Sequence, residues 1–348
     1  MMHQATRILS FVLLIVLALT AGAVFTGAPV SASRDTGGAD PEAGRAAGYY
    51  ATIASQEREL ERLAVQHDPR YAGLKTAHQA AVDAFLEKAH ETGAVFGEEG
   101  EILDPVPVDL LPLLQRANKL TARLEQSKGY KFRVAEEARR AVESMKDVKT
   151  STTTKSYSIC IYRDPSAGGT SQTDLTNLVN AAMGRIKAGV ESHSGGAYSI
   201  QWTTEWHGSY DLSGCSPSVP GGSGTTYYIY FRRNEHIRNG WGACKSWAVV
   251  DLYPTGGCSW SWNWPDSAAT AHELGHVFGA SHGDYGSCGE YNDKDCSAYG
   301  CGYQSCDSST YCVEEYADAG RGRTTSFCWN DSGYLCNFVE FGTCGPGN

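Results

Sequence analysis

The spacing of hydrophobic positions along the chain changes in character near residue 150. Before that point the pattern predicts helices near residues 50–66, 74–91, 108–127 and 132–147, in a stretch rich in Ala, Glu, Arg and Leu. After it, strand-like alternation predicts strands at 157–162, 198–206, 227–231 and 247–253, and helical spacing predicts a helix over 172–190. Met183 lies on the apolar face of that helix and is interpreted as a core residue. The pattern indicates an α+β fold preceded by a helical segment.

The N-terminus has the organisation of an export signal. Arg7 precedes an apolar run from Phe11 to Phe25, and the small residues Val30-Ser31-Ala32 form a cleavage site of the expected type. The alternative, a membrane anchor, is disfavoured because Thr20 and Gly22 interrupt a short apolar core. We therefore expect residues 1–32 to be a signal peptide and the mature protein to be secreted, with no membrane association after cleavage.

The cysteines divide the remaining chain. All 12 lie between Cys160 and Cys344, and an even number in an exported segment of this size predicts six disulfides of undetermined pairing. The stretch after residue 282 is rich in Gly, Cys and Tyr with little periodicity, so we expect disulfides to hold it together. The competing interpretation is a structural zinc cluster, which would need reduced thiolates, at Cys288, Cys296, Cys301, Cys306 and Cys312.

The absence of cysteines before Cys160 predicts two domains after the signal peptide. Residues 33–155 are interpreted as a helical propeptide that ends in a polar linker, 149–155, whose lysines would suit an activating protease. Residues 156–348 are interpreted as the catalytic domain. With no cysteine before Cys160, the first segment cannot block a metal through a thiolate. The alternative is a helical module that is retained in the mature protein.

The most informative motif spans residues 272–282. His272 and His276 are four residues apart and would share one face of a helix, where both imidazoles can bind one metal ion. Glu273 would take a proton from a metal-activated water, and Gly279 would end the helix so that His282 supplies a third nitrogen. Three protein ligands leave the fourth position open, as catalytic zinc requires. The alternative is an exposed helix whose histidines happen to align.

The residues before this motif suit a close-packed helix. Pro265-Asp266-Ser267 offers N-capping residues, and the small residues at 268–271 permit tight packing.

The run from His272 to His282 resembles the signature of the metzincins, which are zinc endopeptidases. The stretches 270–276 and 315–318 are most similar to the reprolysin-like and gametolysin-like branches. The resemblance implies a catalytic domain with a mixed twisted β-sheet, a zinc-binding active-site helix and a disulfide-rich C-terminal subdomain. It also implies one catalytic Zn²⁺ held by His272, His276 and His282, with Glu273 as the general base and peptide bonds of proteins as substrate.

The chain departs from the metzincin pattern at one position. Metzincins carry a methionine in a turn beneath the zinc, but none of the four methionines here follows His282. The departure leaves two alternatives open, an inactive relative and a zinc-stabilised, disulfide-rich binding module for polysaccharide or protein. Neither would hydrolyse peptide bonds.

Weaker features add further expectations. Trp260, Trp262 and Trp264 alternate along an extended segment and would either line a substrate groove or cover the sheet, the second being favoured. Residues 241–244 could form the edge strand beside the cleft. A calcium site is conceivable, although a solvated loop is favoured, at Asp284, Glu290, Asn292, Asp293 and Asp295.

The charge of the chain limits the range of partners, and the remaining histidines add no further site. From residue 156 onward there are ten basic and nineteen acidic residues, so the charge does not support nucleic-acid binding, and we expect no nucleic-acid partner. We expect a monomer that acts on protein or peptide substrates. The other histidines have no motif context and are predicted to lie at the surface: His193, His207, His236 and the four before residue 91.

Overall fold

The structure is a computed structural model that describes residues 41–94, 101–102, 106–147, 150–214, 218–233, 245–252, 260–261, 265–280, 327 and 329–343. The predicted signal peptide and most of the chain after residue 280 lie outside these ranges. No helix in the described part of the chain has both the length and the hydrophobicity needed to cross a bilayer.

Four α-helices form the N-terminal segment, as the pattern predicts. They are α1 (Pro41–His67), α2 (Arg70–Thr92), α3 (Leu111–Glu125) and α4 (Lys128–Ser144). The start of α4 is set locally, because the Ser127 hydroxyl accepts a hydrogen bond from Tyr130 N. One of the predicted surface histidines is in fact internal: His78 is 1% exposed, and its Nε2 lies 3.1 Å from Thr121 Oγ1.

A four-stranded sheet forms the centre of the second half. Its strands are β2 (Thr153–Arg163), β3 (Tyr198–Ser209), β4 (Thr226–Arg232) and β5 (Trp247–Asp251), in the order β3-β2-β4-β5. All three pairings are parallel. The mixed sheet implied by the resemblance is therefore not seen in the described strands of this sheet. A separate antiparallel pair joins β1 (Glu101–Ile102) to β6 (Trp260–Ser261).

The strands begin and end close to the predicted positions because alternate side chains enter one core. The inward-facing Ile159, Ile161, Ile229, Phe231 and Val250 are buried, and they belong to the cluster that contains Leu175 and Met183 of the following helix. The interpretation of Met183 as a core residue is confirmed. Together the elements confirm the α+β class.

The central helix of this half is α5 (Gln172–His193), which packs against α4, β3, α6 (Asp266–Val277) and α7 (Trp329–Phe341). Helix α7 was not predicted, because its sequence shows no clear helical period. Its packing on α5 depends on small residues. A Cβ atom at Gly189 would lie 2.9 Å from Ser332 Oγ, and one at Gly333 would lie 3.0 Å from His193 Cε1.

The structure bears on two further expectations, the six disulfides and the polar linker. Cys160 and Cys336 are the two cysteines within the described ranges, and both are free and buried. The prediction of six disulfides therefore does not hold for this pair, and the other ten cysteines lie outside the described residues. Thr153, Thr154 and Lys155 belong to β2, so the end of the predicted linker is part of the sheet.

Candidate metal centre and active site

Helix α6 carries His272, Glu273 and His276, and every residue from Asp266 to Val277 is buried. His272 and Glu273 are 0% exposed and His276 is 5% exposed. The helix is therefore not exposed, as the alternative of fortuitously aligned histidines had assumed. Small residues allow this burial, since Ala268, Ala269 and Ala271 lie against the same core as β5 and α5. A histidine pair and a carboxylate buried this deeply need a chemical reason.

The two histidines point their Nε2 atoms at the same place. These atoms lie 3.1 Å apart, and the ring centroids are 4.5 Å apart at an angle of 83°. Two nitrogens that share a zinc ion, each at about 2.0–2.1 Å from it in tetrahedral geometry, would be about 3.3 Å apart. The pair therefore fits a common metal ion without a change of rotamer.

The second ring nitrogen of His276 has a fixed partner. Its Nδ1 lies 3.0 Å from the carbonyl oxygen of Ala280, to which a proton on Nδ1 is donated. This hydrogen bond sets the tautomer, and it leaves the lone pair of Nε2 directed at His272. Metal-binding histidines are commonly oriented by such a second contact.

The chain reverses immediately after α6. Gly279 has φ +91°, as the motif predicts, and Ala280 N donates to the carbonyl oxygen of Gly275 at 2.9 Å. A Cβ atom on Gly279 would lie 3.0 Å from Cβ of Phe338 on α7. The reversal positions the Ala280 carbonyl for His276. His282 lies outside the described residues.

The N-terminus of α6 is held by a residue that sequence reasoning missed. Pro265 is the N-cap and provides no side-chain hydrogen bond, contrary to the expected local cap. Instead Asp266 N donates to Oε1 of Glu125, the last residue of α3, at 2.8 Å. Glu125 therefore does from a distance what a serine or aspartate cap does locally. One indication of a distant cap was present in the sequence, because Pro265 has no side-chain acceptor of its own.

Tyr130 of α4 makes a second contact at the same end. Its hydroxyl accepts from Ser267 N at 2.9 Å and donates to Ser267 Oγ at 2.9 Å. Arg185 of α5 donates to the Ser267 carbonyl at 3.0 Å and pairs with Glu137 of α4 through bonds of 2.6 and 2.7 Å. The first turn of the candidate active-site helix is thus fastened to the N-terminal helices by buried polar contacts.

The carboxyl groups of Glu125 and Asp266 share this buried site. Burial, followed by the nearby Asp266 carboxylate, raises the pKa of Glu125 well above its ordinary value. Burial also raises the pKa of Asp266, while Arg233, 3.5 Å away, opposes that rise. We assign the proton to Glu125 and the charge to Asp266, because Asp266 has the cationic partner.

Comparison with models of known protein families, with curated proteins and with solved structures finds no match. The resemblance to the metzincins therefore rests on the motif residues of this chain alone. Four parts of the predicted site lie outside the described residues: the third ligand His282, the proposed edge strand at 241–244, the acidic loop after residue 283, and the tryptophans at 262 and 264.

Proposed function

We propose that the protein is a secreted zinc-dependent endopeptidase made as a proenzyme. The observation that carries the proposal is the 3.1 Å separation of the His272 and His276 Nε2 atoms on a fully buried helix. Glu273 lies between them in sequence. This set of nitrogen donors with an adjacent carboxylate is typical of zinc sites that hydrolyse amides.

Each residue has a separate task in this proposal. His272 and His276 would hold the ion, and His282 is the proposed third ligand. Bound zinc would supply a Lewis acid that acidifies water and polarises the scissile carbonyl. Glu273 would accept the proton of the attacking water and pass it to the leaving amine nitrogen. Ala280 would keep His276 in the tautomer that presents Nε2.

The proenzyme part of the proposal concerns the N-terminal helices. Their described contacts with α6 reach Asp266 and Ser267, at the end of the helix opposite to His276. Cleavage in the linker before β2 would leave these buried contacts in place. We therefore propose that a cut alone does not release the helical segment, and that it stays bound until it is degraded or displaced.

The test compares the wild-type chain with Glu273→Gln, which removes the base but keeps the shape of the side chain. Casein hydrolysis and zinc content by elemental analysis are measured on both after the N-terminal segment has been cleaved and degraded. A matched control is Glu143→Gln, because Glu143 is a helical glutamate with a 53% exposed side chain far from the motif in sequence. We expect the same zinc content, at least about one ion per chain, in all three proteins, and a loss of hydrolysis of at least about a hundredfold in Glu273→Gln alone.

Two results would count against the proposal. Zinc in the wild type without hydrolysis of casein or of a mixed peptide library would favour the binding module. Loss of zinc from Glu273→Gln would show that Glu273 is a ligand or a structural residue and not the base.

A further inference from the structure

A group of side chains of the types that bind metal ions lies on the outer face of the four-stranded sheet, away from the helices. Cys160 of β2 pairs in register with Glu205 of β3, and His207 follows two residues later on the same face. The thiol sulfur, a carboxylate oxygen and an imidazole nitrogen all lie within 4.8 Å of one another. None of the three belongs to the His272 motif.

A β-bulge places the histidine. Ile161 pairs with Trp206 and Tyr162 pairs with Gly208, so that His207 is the extra residue of β3. Gly208 has φ +98°, a conformation that favours glycine. Bulges redirect side chains and occur often beside functional sites. Here the bulge lies at the position where His207 can approach both Glu205 and Tyr162.

The contacts of His207 orient its ring. Nε2 lies 3.5 Å from Oε2 of Glu205, and Nδ1 lies 3.4 Å from the Tyr162 hydroxyl. A proton on Nδ1 would be donated to Tyr162 and would leave the Nε2 lone pair facing the carboxylate side. Aromatic rings surround the group, with Tyr162 at 5.3 Å and Tyr228 at 6.4 Å from the histidine centroid.

Cys160 is the buried member of this group. It is 3% exposed and free. A divalent cation would neutralise one thiolate and one carboxylate together, which removes the cost of forming either alone.

We propose that Cys160, Glu205 and His207 form a second metal site, which binds a borderline divalent cation of the zinc class with water as the fourth ligand. Sulfur, nitrogen and oxygen donors in this number suit zinc. Donors around a tetrahedral zinc lie about 3.3 to 3.6 Å apart, so the group must contract by about 1 Å. The two side chains that would move, Glu205 and His207, are 58% and 36% exposed.

The test uses cobalt chloride as the probe, titrated into the metal-free full-length chain without reductant. A thiolate bound to Co²⁺ gives a near-ultraviolet charge-transfer band, which histidine and carboxylate ligands cannot give. We expect a saturable band in the wild type and in Cys336→Ser, a control at the second of the two cysteines that the structure describes. Cys160→Ser should lose the band, and His207→Ala should weaken cobalt binding by more than about tenfold.

The exposed positions keep the test decisive if Cys160→Ser folds poorly, since His207→Ala and Glu205→Gln change the donors without disturbing the core. A band of unchanged affinity in both of these variants would overturn the site. So would a wild-type chain without the band, or peptide mass mapping that finds Cys160 in a disulfide. Loss of the band with casein hydrolysis intact would support a site separate from the proposed catalytic one.

Discussion

Replacing Glu125 by glutamine tests whether the N-terminal helices hold the candidate active-site helix through a retained proton. The glutamine side-chain oxygen can still accept the hydrogen bond of Asp266 N, which measures 2.8 Å in the wild type. Its amide can donate to the Asp266 carboxylate, as the protonated glutamate does. The variant therefore keeps the contact and removes only the titration.

The expected effect follows from the direction of the pKa change. The folded chain holds the Glu125 proton more tightly than the unfolded chain does, so this group stabilises the fold most at low pH. That contribution is lost as pH rises from about 4.3, the ordinary pKa of glutamate, through the raised pKa. Over that window the wild type should lose up to about 1.4 kcal/mol of unfolding free energy per pH unit relative to Glu125→Gln.

The assay is urea unfolding followed by tryptophan fluorescence from about pH 4 to pH 8, in a Glu273→Ala background that prevents self-digestion. Differences between variants cancel the titration of carboxyl groups outside the Glu125–Asp266 pair, such as Glu136, whose pKa is lowered to about 2 by Arg139 and Arg140. Glu125→Ala adds the loss of the acceptor, which costs about 1 kcal/mol at every pH. Glu143→Gln is the control, with an expected change below about 0.5 kcal/mol.

Parallel pH profiles for the wild type and Glu125→Gln would refute the reasoning. They would mean that Glu125 keeps an ordinary pKa in the folded chain, and hence that water reaches the end of α6. A wild type that gains stability over Glu125→Gln with rising pH would reverse the assigned sign.

Two further predictions concern the packing of α4 against α5 and are measured by the same unfolding assay. Gly184→Ala should lower the unfolding free energy by about 1–3 kcal/mol, because the new Cβ would lie 2.4 Å from Cβ of Ala141. Gly73→Ala is the control: a Cβ at Gly73 would have nothing within 4 Å, so this helical replacement should raise the unfolding free energy by up to about 1 kcal/mol. Equal effects at the two glycines would contradict the close approach of the helices. Glu137→Ala should cost about 3 kcal/mol or more, because it leaves the 5% exposed Arg185 without its carboxylate. A cost below about 1 kcal/mol would show that water reaches Arg185.

The predicted helices and strands agree with the structure where local period and burial coincide. The strand at Tyr227–Phe231 and the helix from Gln172 were predictable because their apolar side chains repeat at the periods of the elements that they form. Helix α7 was not predicted because its sequence shows no clear helical period, and its position depends on contacts with α5. Its Gly333 is explained by the nearby His193 ring, on a helix more than a hundred residues earlier.

The candidate site also combines features that the local sequence predicts with contacts that depend on distant residues. Residues four apart on a helix must share a face, so the sequence by itself determined that His272 and His276 could bind one ion, with Glu273 beside them. The left-handed turn at Gly279 was also a local property, since glycine adopts that conformation at little cost.

Only the tertiary structure decided that α6 is buried, that the four-stranded sheet is parallel, and that Glu125 caps a helix 141 residues further along the chain. It also decided that Cys160, Glu205 and His207 meet. Such contacts depend on which distant segments pair, and that choice is made by the packing of the whole core. A local pattern of side chains carries information about its own backbone conformation, but little about which partner its polar groups will find.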